Sequence, residues 1–144
     1  MPKTFKQGVY KLRHPEKYIG DPNKVVFRSS WELEMHRFLD NNAKVLRWSS
    51  EELSIPYVKP TTGRVHRYFP DYFVEYENAH GEIVREIIEV KPSNQVDLSG
   101  RKRLSEYEKV TYAVNKAKWI AAQQFCDKRG IKFSILTERQ LFKG

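Results

Sequence analysis

The segment that decides the fold runs from residue 66 to residue 92: His66-Arg67-Tyr68-Phe69-Pro70-Asp71-Tyr72-Phe73 and, beyond a turn at Asn78 to Gly81, Ile83-Val84-Arg85-Glu86-Ile87-Ile88-Glu89-Val90-Lys91-Pro92. Val65 to Phe69 and Tyr72 to Tyr76 have the composition of strands. Ile83 to Lys91 is a β-branched run that Pro92, which cannot donate to a sheet ladder, should end. Side chains alternate along a strand, so Glu89 and Lys91 leave one face together while Ile88 and Val90 enter a core. Asp71 opens the preceding strand, and in an antiparallel hairpin of this length it is expected beside Glu89 at the same sheet edge.

Two converging carboxylates repel unless a hard cation sits between them, and Mg²⁺, with oxygen ligands at ~2.0–2.1 Å, suits such a pair. Mn²⁺ is the expected substitute. An ion there polarises a phosphoryl oxygen and acidifies a water, while Lys91 orients that water or helps deprotonate it. Phosphodiester hydrolysis is the chemistry this set can perform. A bare Glu-x-Lys also stands on many solvated strand faces, so the weight rests on the joint pattern: Pro70 before Asp71, an 18-residue step to Glu89, the β-branched strand and an upstream helical Glu32.

Upstream, Trp31, Met35 and Phe38, with Leu39 alongside, recur at helical spacing; this predicts a helix from Ser30 to Asp40, capped by Ser30 and ended by Asn41-Asn42. The pattern changes at Val45. Leu53, Ile55 and Tyr57 alternate, and Pro60 to Gly63 reads as a turn. Loop residues are expected from Pro92 to Gly100. Leu104 to Arg129 then carries Leu104, Tyr107, Val110, Val114, Ala117 and Ala121 on one face of a long helix, stopped by Gly130, and Lys132 to Leu136 is the last strand. The order predicts an α/β or α+β fold with a mixed sheet packed by helices.

At 144 residues the chain is sized for one domain, and 40% hydrophobic with 13% aromatic residues suffices for a core. Residues 1–24 read as an irregular basic arm and 25–144 as the single domain. The 26 Lys and Arg against 18 Asp and Glu give a net charge of +8, which favours a polyanionic partner, nucleic acid first. The charge is uneven. Residues 1–28 and 100–118 together carry +9, whereas 29–99 carry −4, as expected if basic flanks offset an acidic, metal-binding middle. Lys3, Lys6, Lys11, Arg13 and Lys17 in the arm, Arg67, and Arg101, Lys102 and Arg103 before the long helix are the candidate contacts to DNA phosphates.

Cys126 is the only cysteine, which excludes an intrachain disulfide and reads as a buried small hydrophobe. No two histidines stand at ligand spacing, so zinc is not expected. His36, one turn beyond Glu32, reads as a surface or core-edge residue, with phosphate contact or support of Glu32 as the alternative. Only one of His66 and Arg67 can face a groove. Trp31, Trp48 and Trp119 read as core. No run approaches the ~18 apolar residues of a membrane-crossing helix, and the first residues lack the apolar stretch of a signal peptide, so a soluble, non-exported protein is expected.

Pro70-Asp71 and Glu89-Val90-Lys91 behind a Ser-x-x-Glu helix start resemble the PD-(D/E)xK nuclease superfamily, whose restriction-endonuclease-like core is ordered αβββαβ. Arg28-Ser29-Ser30-Trp31-Glu32, Ile55-Pro56-Tyr57, the His66 to Phe73 stretch and Ile88 to Pro92 resemble TnsA-type transposon endonucleases. From residue 5 onward, including Phe5-Lys6-Gln7-Gly8 and His14-Pro15-Glu16-Lys17-Tyr18, the chain resembles still more closely the head completion nucleases of T-even type tailed phages.

The resemblance implies that Asp71 and Glu89 bind Mg²⁺, that Lys91 assists the attacking water, and that Glu32 completes or supports the metal shell. Glu34 is the rival for that last place, about 200° round the helix. Low sequence specificity is expected from the chain itself, which shows no second recognition domain and whose basic segments offer mainly phosphate contacts. The resemblance also implies DNA as substrate, trimming of packaged DNA ends before heads are joined to tails, portal or neck proteins as partners, and a place in the infected host cell or the finished virion. A non-catalytic DNA-binding or neck protein on the same fold is the alternative.

Overall fold

The structure, a computed structural model, describes residues 7–96 and 103–137. Strands β1 (Gly8–Val9) and β2 (Val26–Phe27) pair antiparallel and lead into helix α1 (Ser30–Asn41). Next come β3 (Val45–Ser50), a hairpin of β4 (Ile55–Val58) and β5 (Val65–Tyr68), β6 (Tyr72–Glu77) and β7 (Ile83–Val90). A short helix α2 (Ser93–Val96), the long helix α3 (Glu106–Asp127) and β8 (Lys132–Leu136) complete the described chain.

The central sheet has the order β3-β6-β7-β8, antiparallel except for the parallel β7–β8 pair. With α1, β3, β6, β7, α3 and β8 in chain order this is the expected αβββαβ core in a mixed sheet. One face of the sheet sends Trp48, Tyr72, Val74 and Ile88 into a core with Leu33, Met35 and Leu39 of α1. The other sends Ile87 toward Trp119, Ala122 and Cys126 of α3, with Ile55, Tyr57 and Tyr68 of the hairpin closing that side. Cys126 is fully buried there, which pushes its thiol up to about 11 and keeps it unreactive, as the sequence implied.

Several local expectations are corrected. Helix α1 is capped by Ser29, whose hydroxyl accepts from the Glu32 N–H at 3.1 Å, rather than by Ser30. Its buried stripe is Leu33, Met35, His36, Leu39 and Asp40, while Phe38 is 57% exposed; the stripe is set by a histidine and an aspartate that a hydrophobic pattern passes over. Strand β3 does not show the alternation expected of a strand, because a register irregularity between Val45 and Arg47 breaks the sequence of its buried residues. The alternating Ile55 and Tyr57 do not join the central sheet but pair with β5 in a separate two-stranded sheet. Part of the loop after Pro92 is helix α2. At the far end of α3, Gly130 adopts φ 68° and lets the Ile131 N–H return to the Cys126 carbonyl at 3.0 Å.

The described part of the N-terminal arm is not loose. Tyr10 and Tyr18 are buried in the α1-side core, and Asp40, itself inaccessible to solvent, accepts from the Tyr10 hydroxyl at 2.8 Å and from the Arg13 and His14 N–H groups at 2.8 and 3.0 Å. Lys17 donates to the carbonyls of Asp40 and Asn42, both at 2.9 Å, and so satisfies the C-terminal end of α1. The three arm interactions on one buried carboxylate fix residues 10–17 against the helix that carries Glu32.

Candidate active site

Tyr72 pairs with Ile88 across β6 and β7, so continuing the same register by one residue sets Asp71 opposite Glu89 at the end of the sheet. The two strands thus deliver the convergence expected from the spacing. The Val90 N–H donates to Asp71 Oδ2 at 2.7 Å, which holds that carboxylate against β7. The Tyr68 hydroxyl, from β5, donates to Glu89 Oε1 at 2.6 Å, and Lys91 Nζ stands 3.7 Å from Glu89 Oε2. Glu89 is only 6% exposed.

Crowding and burial act together on this pair. Desolvation first, then the charge of Glu89, pushes Asp71 up to about 7. Glu89 is raised as well, again by burial, with Tyr68 and Lys91 pulling the other way. The Tyr68 hydroxyl is held well above its ordinary range by burial and by Glu89, so it stays a donor.

Glu32 approaches from α1. It lines a cavity of about 110 Å³ together with Asp71, Ser29, Trp31, Met35, Tyr72 and Val90, and its charge is felt at Asp71. Glu34 points elsewhere, exposed and paired with Arg37 at 3.1 Å. Glu32 lies 3.9 Å from Arg28, whose guanidinium is also bonded to Glu51. Glu51 has φ 57°, a left-handed conformation uncommon for glutamate, and its N–H donates to the Asp71 carbonyl at 3.1 Å. Backbone strain thus sits directly beside Asp71.

His36 is fully buried, contrary to the expectation of a surface or core-edge residue. Its Nε2 lies 2.9 Å from the Val26 carbonyl and must be the protonated nitrogen, which leaves Nδ1 to accept from the Tyr72 hydroxyl at 2.9 Å. Burial lowers its pKa. The same Tyr72 oxygen stands 3.3 Å from the Glu32 carbonyl, a longer, competing acceptor for its one proton, so Tyr72 sits between His36 and the backbone at Glu32.

Among the described residues no three His, Cys, Asp or Glu side chains are gathered tightly enough to hold an ion by themselves. The donor set nevertheless fits a hard divalent cation: Asp71 and Glu89 offer carboxylate oxygens from facing strands, and Glu32 shares a cavity with Asp71.

Of the expected DNA contacts, Lys11, Arg13 and Arg103 are exposed. Lys17 is committed to the end of α1, and Arg67 donates to Ser54 Oγ at 3.0 Å. Lys3, Lys6, Arg101 and Lys102 lie outside the described residues. His66 lies 3.2 Å from the Thr62 hydroxyl in the hairpin. Trp48 and Trp119 are core, and Trp31 is half-buried on the wall of the site cavity. Part of the acidic middle is structural: Glu75 bonds Arg47 and Arg85 at 3.1 and 3.2 Å across the sheet. Glu51 and Lys118 carry no signal in the sequence, and Tyr68 and Arg28 stand there only inside longer motifs with no role assigned; Tyr68 reaches Glu89, Lys118 reaches Tyr68 and Glu51 reaches Arg28 through tertiary packing, while Arg28 meets Glu32 one helical turn away.

The family profile described as TnsA-like endonuclease N terminal matches residues 42–138, which carry Asp71, Glu89 and Lys91. The chain belongs to the TnsA-like endonuclease family. It is also 37% identical, over 95% of its own length and 97% of the relative's, to the head completion nuclease of Enterobacteria phage T4. The restriction-endonuclease-like core of the TnsA-like family accounts for the sheet order, and the segment before the profile match supplies α1 with Glu32 and the packed arm. Among the described residues of this TnsA-like chain, no helix is long and apolar enough to cross a membrane.

Proposed function

We propose that the chain is a Mg²⁺-dependent DNA nuclease of low sequence specificity that trims the ends of packaged DNA during phage head completion and so prepares heads for joining to tails. The observation that carries the catalytic reading is the buried Asp71–Glu89 pair with Lys91 3.7 Å from Glu89. The biological setting is supported by the similarity to the T4 protein, whose name describes a head completion nuclease. That setting places the chain in the infected host cell during assembly, with portal or neck proteins as partners.

Asp71 and Glu89 would hold the ion, with Glu32 completing or supporting its shell. A divalent cation bound there supplies Lewis acidity at the phosphodiester and lowers the cost of forming hydroxide. The protein's own part is positional. The Val90 N–H and the Tyr68 hydroxyl fix one oxygen of each carboxylate, leaving the others for a ligand. Lys91, projecting from the end of β7 on the Glu89 side, is placed to orient the attacking water and to balance phosphate charge. The exposed Lys11, Arg13 and Arg103 supply phosphate contacts that fix affinity without reading sequence.

The test is incubation of the purified chain with supercoiled and linear DNA in Mg²⁺, in Mn²⁺ and in EDTA. Cutting in either metal and none in EDTA is the expected result, and the products separate endonucleolytic from exonucleolytic action. DNA binding without cutting under all three conditions would favour a non-catalytic DNA-binding or neck protein.

A further inference from the structure

Beside the carboxylates stands a charged group that the reading above leaves without a task. Lys118 lies midway along α3, the helix that packs against β4, and its ammonium is 5.7 Å from the centre of the Tyr68 ring and 5.9 Å from that of Tyr57. Tyr68 is the residue that donates to Glu89. The aromatic pair therefore holds a cation on the same side of the sheet as the Asp71–Glu89 centre.

The other charges facing Lys118 are Glu89 and Lys91 from β7 and Lys59 from the turn after β4. Burial and the two like charges lower its pKa, and among the described residues no carboxylate comes within ion-pair distance of its ammonium. Lys91 and Lys118 thus both act on Glu89, which is already engaged by Tyr68, and Lys59 adds a third like charge facing Lys118. Packing of the lysine stem over aromatic rings explains where its methylenes lie. It does not explain why the ammonium is held toward two others, an arrangement that weakens the unliganded protein. A polyanion removes the conflict: each non-bridging phosphate oxygen offers an acceptor to an ammonium whose repulsion from its neighbours then becomes attraction for the ligand.

We infer that Lys118 and Lys59 seat a backbone phosphate of the DNA strand that flanks the scissile one, and that Lys118 is a positioning residue setting that strand against Asp71 and Glu89. This inference rests on the nuclease reading for its substrate. Arginine at 118 retains the charge over the two rings, whereas glutamine retains most of the length and loses both the cation–π contact and the phosphate partner.

The experiment measures duplex DNA binding by fluorescence anisotropy in EDTA, over a series of salt concentrations, for the wild type, Lys118→Gln, Lys118→Arg, Lys59→Gln and Lys44→Gln, each with its thermal midpoint. Lys44 pairs with Glu77 at 3.6 Å, away from the site, and serves as the control. Loss of one phosphate contact lowers the slope of log affinity against log salt by about 0.9. That loss is expected for Lys118→Gln and for Lys59→Gln, with Lys118→Arg and Lys44→Gln at the wild-type slope. Folded Lys118→Gln and Lys59→Gln proteins with the wild-type slope would overturn the inference; if Lys118→Gln fails to fold, Lys59→Gln alone decides it. Binding in EDTA is read without cutting, so the phosphate seat and the nuclease reading fail separately: a reduced slope in a protein that never cuts in Mg²⁺ removes only the latter.

Discussion

Replacing Asp71 by Asn should make the metal-free protein more stable, and by an amount that depends on pH. The folded protein raises the Asp71 titration from 3.8 to about 7, chiefly by desolvation and then by Glu89. The native state therefore holds this proton more tightly than the unfolded chain does, and the associated stability, complete below pH 3.8, is lost as pH rises through about 7. At about 1.4 kcal/mol per pKa unit the full shift corresponds to roughly 4 kcal/mol, and sharing with Glu89 together with partial solvent access reduces this to about 2 kcal/mol. Asn keeps an oxygen for the Val90 N–H and carries no charge, so it escapes that cost. Urea denaturation in EDTA should show Asp71→Asn more stable than wild type by about 2 kcal/mol at pH 8, a shift of roughly 4–8 °C in Tm, with the gain shrinking toward zero as pH falls to 4. Added Mg²⁺ should stabilise the wild type and leave the variant unmoved. A variant that is less stable at pH 8, or equally stabilised at both pH values, would refute the account of a strained carboxylate pair.

Three further outcomes follow from other parts of the structure. Asp40→Ala strands the Tyr10 hydroxyl and two backbone N–H groups and should cost about 2–4 kcal/mol, with limited proteolysis showing the arm released at residues 10–17. His36 is buried and neutral with a lowered pKa, so the unfolded chain takes up its proton first and stability should fall as pH drops below about 6.5; its imidazole NMR signals should report the neutral Nε2–H form at pH 6, and a charged ring there would contradict the hydrogen-bond assignment. Tyr68→Phe removes the donor to Glu89 and should lower single-turnover cleavage about tenfold, equivalent to about 1.4 kcal/mol, with folding retained; an unchanged rate would show that the hydroxyl does not orient the carboxylate.

What could be read before any coordinates were known follows from the range of the interactions concerned. The Asp71–Glu89 pairing was legible because a strand's period of two and a short hairpin determine register locally, and the last strand, Lys132–Leu136, because Gly130 stops the long helix just before a short apolar segment. Strand β3 was hidden by its irregular register, since one shifted residue moves the hydrophobic pattern to the other face. The arm looked irregular because its order comes from Asp40, some thirty positions away in the chain, rather than from local periodicity. Lys118 looked like an ordinary charged position on a long helix. Only the packing of α3 on the β4–β5 hairpin brings it to Tyr68, and nothing in the local pattern of either segment signals that meeting.

The central claim is that Asp71, Glu89 and Lys91 form a metal-dependent hydrolytic centre. The most direct measurement is single-turnover DNA cleavage in Mg²⁺ by the wild type, Asp71→Asn and Lys91→Ala, with circular dichroism confirming that all three are folded. The account predicts cleavage by the wild type and a loss of at least about a hundredfold in each variant, within the range of a positioned acid–base or charge-stabilising group. Cleavage at the wild-type rate by either folded variant would contradict it.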